Sequence, residues 1–351
     1  MANIGAPKRM LNDVVIIRPL AIFLLVVWHS FIIYTGGWKA PVGYKPIEWY
    51  WWIGKVSYAF MLEMFVFMSG YVFALSLQTK NPTFKSVLIG KLKRLIVPSL
   101  VFSSIYYLIF YDLTKFSLWD FILNILNGCG HLWFLPMLFW TTIICYFLDR
   151  AKMRECVKLV FVLCMVPFSL LPLPFGISSA LYYALFFYVG MLIFRGRYTN
   201  EQLLKPHIHG VILLGGGFLL LFVMGTLLDR AVLSDIMANS SLIFKGIVIL
   251  CSKYIRVVYA LCGVIFIYEL VNFLLNVKDW EVPKWLQELN KTCFGIYLFQ
   301  QFILQFLYYK SSLPSLVGPY WLPWIGLVVA LLVSYALTKI SLKTSIGRQL
   351  M

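Results

Sequence analysis

Long apolar runs separated by short polar segments form the pattern of this chain. The first run begins near Asn12 and includes "RPLAIFLLVVWHS" (18–30), and comparable runs recur as far as the C-terminal region. Runs of about 20 apolar residues are typical of transmembrane helices. The pattern predicts an all-α integral membrane protein, in which a single membrane domain, 1–351, forms a bundle of ten transmembrane helices. We place these spans near 14–34, 56–77, 95–111, 132–148, 156–172, 178–194, 208–228, 255–276, 293–309 and 319–340.

Two stretches need a separate interpretation. The segment 231–253 contains a short apolar run that Lys245 interrupts. We expect this segment to be interfacial or re-entrant rather than an eleventh span. The first apolar run lacks a small-residue cleavage site, so we expect a retained helix rather than a signal peptide.

Composition and charge favour a membrane protein over other classes. The chain is 61% hydrophobic, which is more than a soluble domain covers with polar surface. The formal net charge of +16 lies mostly between the apolar runs, where basic residues act as topology signals and headgroup contacts, so we expect no nucleic-acid partner. With the N-terminus in the cytoplasm, more than two thirds of the lysines and arginines fall on the inner side, which predicts that both termini are cytoplasmic. The seven cysteines show no CxxC spacing, so we expect no metal site.

The first predicted helix carries two ionisable residues on one face. Eleven residues make three helical turns plus about 20°, so Arg18 and His29 lie on the same side, roughly 16 Å apart along the axis. A snorkelling anchor and an imidazole satisfied by packing are the structural alternatives for these two residues. Ionisable groups at such depth usually face a cavity or a partner, and an imidazole takes and returns a proton near neutral pH.

The second span, which includes "LEMFVFMSGYVFAL", contains an acid and a small-residue pair. Glu63 lies inside an apolar helix, where a carboxyl group is protonated or paired, and a functional role and a structural pair are equally open. Ser69 and Gly70 permit close approach of a second helix or of a ligand. We place Ser69 among the candidate substrate-binding residues.

Polar residues also mark the start of the third and fourth spans. Lys91, Lys93 and Arg94 crowd the predicted cytoplasmic start of the third span. They are either a topology signal or a cationic cradle for a phosphate-bearing donor. The fourth span opens with "GCGHLWFLPMLFW", which places His131 and Trp133 at the predicted outer surface, where an aromatic belt is the structural alternative.

Taken together, these segments resemble the integral-membrane acyltransferase-3 family, whose members O-acylate bacterial surface carbohydrates. The resemblance covers essentially the whole chain, and its most specific parts are the Arg18-x10-His29 spacing and the "HLWFLP" block. The matching segments, in chain order, are Arg18-x10-His29, "FVFMSGY" (65–71), "KLKRLIVP" (91–98), "HLWFLPMLFW" (131–140) and "CFGIYLF" (293–299).

The resemblance implies a reaction, its partners and a location. The donor is an acyl-CoA, usually acetyl-CoA, that acts as a co-substrate and is not permanently bound. The acceptor is a carbohydrate or glycolipid outside the cytoplasm. The protein is then expected to be a multi-pass enzyme of the bacterial cytoplasmic membrane, and its oligomeric state stays open.

The resemblance also implies roles for individual residues. The histidine at the position of His29 is essential in such proteins, and it acts either as a general base or as a transient acyl carrier. The arginine at the position of Arg18 and the basic start of the third helix are associated with the donor. We therefore assign the acyl-CoA site to Arg18, Lys91, Lys93 and Arg94. His131 and Trp133, together with Ser69, are assigned to the acceptor site.

Two positions depart from the pattern of the family. Gln300 follows "GIYLF" where family members often have a histidine, and an amide cannot transfer protons, so we assign it no acid–base role and leave hydrogen bonding open. Glu63 lies near a position where family members often have a proline. We treat Glu63 as a candidate catalytic residue and as a candidate partner of the His29 imidazole, because both groups are buried.

Two rival functions remain open from the sequence. A proton-coupled secondary transporter or exporter of an envelope precursor would use Glu63 and His29 as a proton relay. A non-catalytic membrane scaffold would tolerate loss of both His29 and Arg18. The absence of a visible internal repeat or of paired broken helices weakens the transporter hypothesis.

Overall fold

The computed structural model describes residues 11–199, 207–239, 241–277 and 280–351. Within these ranges the chain is helical and contains no strand. The α-helices are α1 (Asn12–Phe31), α2 (Glu48–Tyr58), α3 (Met61–Lys80), α4 (Phe84–Lys91), α5 (Val97–Phe110), α6 (Leu118–Asn127), α7 (Phe134–Arg150), α8 (Glu155–Met165), α9 (Ile177–Thr199), α10 (Ile208–Asn239), α11 (Leu242–Val277), α12 (Lys284–Tyr309), α13 (Leu313–Ser341) and α14 (Ser345–Leu350). A π-helical turn, Leu92–Ile96, joins α4 to α5, and short 3-10 turns cover Ile32–Tyr34, Leu113–Lys115, Gly130–Trp133 and Pro167–Leu170.

The described helices confirm an all-α, multi-pass membrane protein. Eight helical segments in the described ranges are long and apolar enough to cross a bilayer. These segments are Asn12–Tyr34, Glu48–Lys80, Phe84–Phe110, Gly130–Arg150, Ile177–Gly196, Ile208–Arg230, Ile243–Leu275 and Leu313–Ser341. Each overlaps one of the ten predicted spans.

Two of the predicted spans have no counterpart in this set of eight. Over 156–172, α8 ends at Met165, and Pro167 follows it in a 3-10 turn, so neither piece alone is long enough to cross. Over 293–309, α12 is long enough, but three glutamines, at 300, 301 and 305, lower its mean hydropathy. The count of ten spans therefore stays a prediction. The segment 231–253 is helical where it is described and is divided between the end of α10 and the start of α11; its interfacial position also stays a prediction.

α3 and α9 pack against each other through two glycines. A Cβ atom on Gly70 would lie 2.0 Å from the carbonyl oxygen of Phe187, and one on Gly190 would lie 2.1 Å from that of Phe67. Each glycine therefore lets the backbone of the facing helix approach to a distance that no other residue permits. The close helix approach that the Ser69–Gly70 pair predicts is thus present, and its partner is a helix of the same chain.

α1 lies at the centre of the bundle and contacts α2, α3, α11, α12 and α13. Its apolar residues are buried on several sides; examples are Ile17, Val26 and Phe31, each no more than 1% exposed. A helix that is apolar around most of its circumference is expected in such an enclosed position. This central helix carries both Arg18 and His29.

The loop between α1 and α2 is fixed to the irregular start of α13. Gly318 interrupts α13 with a left-handed φ of 70°, and Pro323 offers no N–H to the carbonyl of Pro319. The hydroxyl of Tyr34 donates to that carbonyl instead. The hydroxyl of Tyr44 likewise donates to the carbonyl of Pro314, at 2.8 Å. These bonds hold the loop across one end of α1, close to His29.

Candidate active site

A cavity of about 210 Å³ lies where α1, the 3-10 turn Gly130–Trp133 and α12 meet. Its wall combines two imidazoles, one amide and several aromatic rings, which gives a few polar groups in a mainly apolar space. Such a composition is typical of binding sites for small organic groups. The lining residues are Leu25, Trp28, His29, Ile32, Trp38, Tyr58, Met61, Leu62, Gly130, His131, Trp133, Phe134, Tyr297 and Gln301.

The two histidines of the cavity face each other. The ring centroids of His29 and His131 are 6.2 Å apart, with an interplanar angle of 74°. Trp38 lies in the loop between α1 and α2, and its indole stacks on the ring of His29 with the ring centroids 5.8 Å apart. Nδ1 of His29 and both ring nitrogens of His131 have no hydrogen-bond partner among the described residues. Because buried polar atoms are normally hydrogen-bonded, each of the two rings has a nitrogen that can bind a further group.

The turn that carries His131 depends on a glycine. Gly130 has a left-handed φ of 58°, and a Cβ atom there would lie 2.8 Å from Nε2 of Gln301 and 2.9 Å from Cζ of Tyr106. The absence of a side chain therefore allows α5 and α12 to close around the turn. The hydroxyl of Tyr297 donates to the backbone carbonyl of His131 at 2.8 Å and holds the turn against α12.

A second group of charged residues lies toward the other end of α1. Arg18 and Lys91 are both partly buried, and the charge of Arg94 acts on both. Lys91 also lies over the ring of Phe73, with Nζ 5.6 Å from the centroid. None of these three cations forms an ion pair with a carboxylate in the part of the chain that the structure describes. Three unpaired cations that converge in this way can bind an anion.

The π-helical turn explains how Arg94 and Lys91 reach this site. Pro98 has no N–H to donate to the carbonyl of Arg94, so a regular α-helix cannot pass this point unchanged. The chain widens into the turn Leu92–Ile96 just before Pro98. Lys93 and Arg94 lie on this turn and are both exposed, but Arg94 is a charged neighbour of Arg18 and of Lys91, whereas Lys93 is not.

α1 connects the two groups. The helix is continuous from Asn12 to Phe31, so the helical rise places Arg18 and His29 roughly 16 Å apart. The structure thus brings together two sets of the residues that the sequence singles out. His29, His131 and Trp133 line the cavity, and Arg18, Lys91 and Arg94 form the cationic cluster.

Glu63 has a different partner from the one that we expected. Its carboxylate is fully buried and lies 3.6 Å from the guanidinium of Arg256. Tyr182 donates a hydrogen bond of 3.3 Å to the same carboxylate oxygen. Glu63 is not among the charged or hydrogen-bonding neighbours of His29, so the expected contact with the imidazole is wrong. Its membership of the catalytic group stays a prediction.

Ser69 is not part of the cavity wall. Its hydroxyl donates to the carbonyl of Phe65, one turn earlier in α3, at 2.8 Å. This is the usual way in which a serine satisfies its hydroxyl within a membrane helix. The role of Ser69 in substrate binding stays a prediction.

Several residues of the site were not identified from the sequence. Trp38 and Tyr58 come from segments outside the first helix, and Tyr297 and Gln301 come from α12. The sequence contained one usable signal, because two consecutive glutamines within the apolar run "YLFQQFIL" are costly unless they meet polar partners. Arg256 was not identified either, although it and Glu63 are opposite charges within or beside apolar runs.

The arrangement supports proton transfer toward one end of α1 and anion binding toward the other end. An imidazole can accept a proton, a second imidazole can donate or accept a hydrogen bond, and the distant cations can hold phosphate groups. No group of three His, Cys, Asp or Glu side chains within the described ranges could hold a metal ion. The imidazoles themselves offer acid–base and nucleophilic chemistry.

Comparison with known proteins identifies the family. No curated protein and no solved structure matches the chain. The family model described as an acyltransferase domain matches residues 12–339. This match covers the cationic cluster, the histidine cavity and the eight membrane segments, apart from the last two residues of Leu313–Ser341. The chain therefore belongs to the acyltransferase-3 family and is a multi-pass membrane acyltransferase.

Proposed function

We propose that this enzyme transfers an acyl group, most readily acetyl, from a cytoplasmic acyl-CoA to a hydroxyl group of a carbohydrate or glycolipid outside the cytoplasm. The observation that carries the proposal is the placement of both functional groups along α1. Unpaired cations lie toward one end, and two facing histidines lie in a cavity toward the other end. The spacing suits a donor that has a highly charged head and a reactive thioester at the end of a long arm.

The cationic cluster holds the phosphates of the donor in this proposal. Arg18, Lys91 and Arg94 lie at the cytoplasmic side, as the excess of basic residues in the inner segments indicates. Guanidinium groups bind phosphate oxygens through paired hydrogen bonds, and an ammonium group adds a compact charge. The acyl end of the donor then extends along α1 toward His29. The enzyme accordingly works in the bacterial cytoplasmic membrane, with both termini in the cytoplasm.

His29 acts as the general base. It accepts the proton of the acceptor hydroxyl while the hydroxyl oxygen attacks the thioester carbonyl carbon. The carbon–sulfur bond then breaks, the acyl group stays on the oxygen, and the CoA sulfur leaves with the proton that the imidazolium returns. His131, 6.2 Å away across the cavity, is placed to contact the acceptor. The aromatic side chains of Trp38 and Trp133 give that acceptor an apolar surface on which to stack.

The test is acyl transfer from labelled acetyl-CoA to surface glycan in membranes that contain the enzyme. His29→Ala should lower the transfer at least about 100-fold, whereas His209→Ala, which changes an exposed histidine of α10, should leave it unchanged. Comparable expression of both variants is verified first. Transfer at the parent rate by His29→Ala would show that the mechanism is wrong.

Two further measurements separate the alternatives. Release of CoA during glycan modification distinguishes an enzyme from a transporter, since transport releases none. Rapid quenching followed by mass spectrometry of the peptide around His29 distinguishes a general base from an acyl carrier. An acylated His29 peptide would assign the nucleophilic role. Mass spectrometry of surface glycans, with and without the gene, identifies the acceptor.

A further inference from the structure

Two consecutive glutamines of α12 lie close to the two histidines of the cavity. Gln300 is fully buried, and Gln301 is 3% exposed. Successive residues of an α-helix point about 100° apart, so the two amides diverge and reach different neighbours. The side chain of Gln300 approaches His29, and that of Gln301 approaches His131. Each histidine of the proposed site thus has one glutamine amide of α12 as a neighbour.

The amide of Gln301 has a defined orientation. Its nitrogen donates a hydrogen bond of 3.0 Å to the hydroxyl of Tyr106, and the ring of Tyr106 contacts that of His131 with centroids 6.4 Å apart. With the nitrogen engaged, the amide oxygen is the atom left to accept a hydrogen bond from His131. An imidazole that donates to this oxygen keeps its other nitrogen as an acceptor.

The amide of Gln300 is the less satisfied of the two. Neither its oxygen nor its nitrogen forms a hydrogen bond of normal geometry within the described ranges, and Nδ1 of His29 is also without a partner. A buried amide with no partner is costly and needs an explanation. Besides Gln300, the backbone carbonyl of Leu25 approaches the His29 ring. Leu25 lies one turn earlier than His29 in the same helix, α1.

We propose that Gln300 and Gln301 are positioning residues that fix which ring nitrogen of His29 and of His131 carries the proton. A neutral imidazole has one N–H group and one lone pair. If the oxygen of Gln300 accepts the N–H of His29, the lone pair on the other nitrogen is held ready for the acceptor hydroxyl. This assignment rests on the proposed function only for its catalytic consequence; the state of each histidine is measurable without any acceptor.

The test uses the small number of histidines in the chain, which is four. The full-length protein, labelled with ¹⁵N-histidine and reconstituted in lipid nanodiscs, gives four pairs of ring-nitrogen resonances in solid-state NMR. Single His→Asn variants assign them. Gln300→Met keeps the length of the side chain and removes the hydrogen bond. We expect this variant to merge the two separate resonances of His29 toward the average of a tautomer mixture. Gln301→Met should do the same for His131 alone.

The spectra contain their own controls. The exposed His207 and His209 should keep their resonances in both variants. The buried histidine that a variant does not address, which is His131 in Gln300→Met and His29 in Gln301→Met, should also keep its two resonances and so shows that the fold persists. Gln300→Glu, which keeps an acceptor at the same place, should keep the tautomer that Gln300→Met loses. If Gln300→Met does not accumulate, Gln300→Asn, which withdraws the amide by one methylene, must show the same change at His29.

The outcomes separate this proposal from the proposed function. Unchanged His29 resonances in Gln300→Met would overturn it, because the Leu25 carbonyl would then suffice to set the tautomer. Equal changes at both histidines in both variants would also overturn it, because they indicate a general disturbance of α12. A changed tautomer with acyl transfer lowered about tenfold or more supports both proposals. A changed tautomer in Gln300→Met, together with no acyl transfer by the parent protein itself, supports the positioning role and contradicts the function.

Discussion

Adding one methyl group between α3 and α9 should destabilise the whole bundle. In Gly70→Ala, the new Cβ atom would lie 2.0 Å from the carbonyl oxygen of Phe187, whereas ordinary contacts begin at 3.4 Å. The two helices must therefore separate by up to about 1.4 Å, since a backbone carbonyl cannot rotate away. Overpacking of this kind costs about 1–3 kcal/mol of the free energy of unfolding. For a chain of this size, that corresponds to a decrease of about 2–6 °C in the melting temperature.

The measurement is thermal unfolding in detergent, followed with a thiol-reactive fluorophore. Cys129, Cys145 and Cys293 are free and buried, so they react only when the bundle opens. Gly216→Ala is the matched control, because a Cβ atom there meets nothing within 4 Å. In an exposed helical position this change stabilises by about 0.5–1 kcal/mol. The two variants should thus shift the melting temperature in opposite directions.

A second variant tests whether the contact itself is responsible. Gly190→Ala places a Cβ atom 2.1 Å from the carbonyl of Phe67, on the reciprocal side of the same helix pair. Because separation of the helices relieves both overlaps together, the double variant Gly70→Ala/Gly190→Ala should lose less than the sum of the two single losses. Strict additivity, or a parent-like melting temperature for Gly70→Ala, would refute the close packing of α3 on α9.

Two further predictions concern charged residues. Lys91→Ala should raise the KM for acetyl-CoA about tenfold, because the donor loses one charge-assisted contact. Lys93→Ala should change this KM less than about twofold. Equal effects of the two variants in a kinetic assay would contradict the assignment of Lys91 to the donor site. Glu63→Gln should lower the free energy of unfolding by about 1–3 kcal/mol. This loss is smaller than for a fully buried ion pair, because 34% of the Arg256 side chain is exposed. In the same fluorophore assay, the double variant Glu63→Gln/Arg256→Gln should recover part of the loss that Glu63→Gln causes. If Arg256→Gln lowers stability in the Glu63→Gln background as much as it does alone, the ion pair is contradicted.

The part of the site that lies on one helix could be predicted from the sequence. Arg18 and His29 are eleven residues apart, and the geometry of the α-helix alone sets their relation. The apolar runs likewise predicted the helical membrane fold, because a bilayer demands satisfied backbone groups in every span. The convergence of Lys91 and Arg94 on Arg18 depends on helix packing and was expected only from the resemblance to the family.

The contacts between distant segments could not be predicted from periodicity. Trp38 lies in a loop, and its stacking on His29 depends on the tyrosines that fix this loop to α13. Glu63 and Arg256 are each unusual in an apolar environment, but burial alone did not indicate which partner the carboxylate takes. Opposite charges in two apolar helices are better partners for each other than for an imidazole, since an ion pair neutralises both. That rule would have assigned Glu63 correctly.

The low hydropathy of α12 follows from its position beside α1, the helix that carries Arg18 and His29. α12 follows α1 in the same direction: Cys293 lies near Arg18, Gln300 near His29, and the hydroxyl of Tyr308 donates to the carbonyl of Ser30 at 2.7 Å. In the proposed reaction, a donor that extends from the cations to His29 would lie along the seam between these two helices. A seam that admits polar atoms needs polar side chains, and glutamines provide them without a net charge inside the bilayer. α12, which is not among the eight apolar membrane segments of the described ranges, is thus the helix that the proposed reaction needs beside α1.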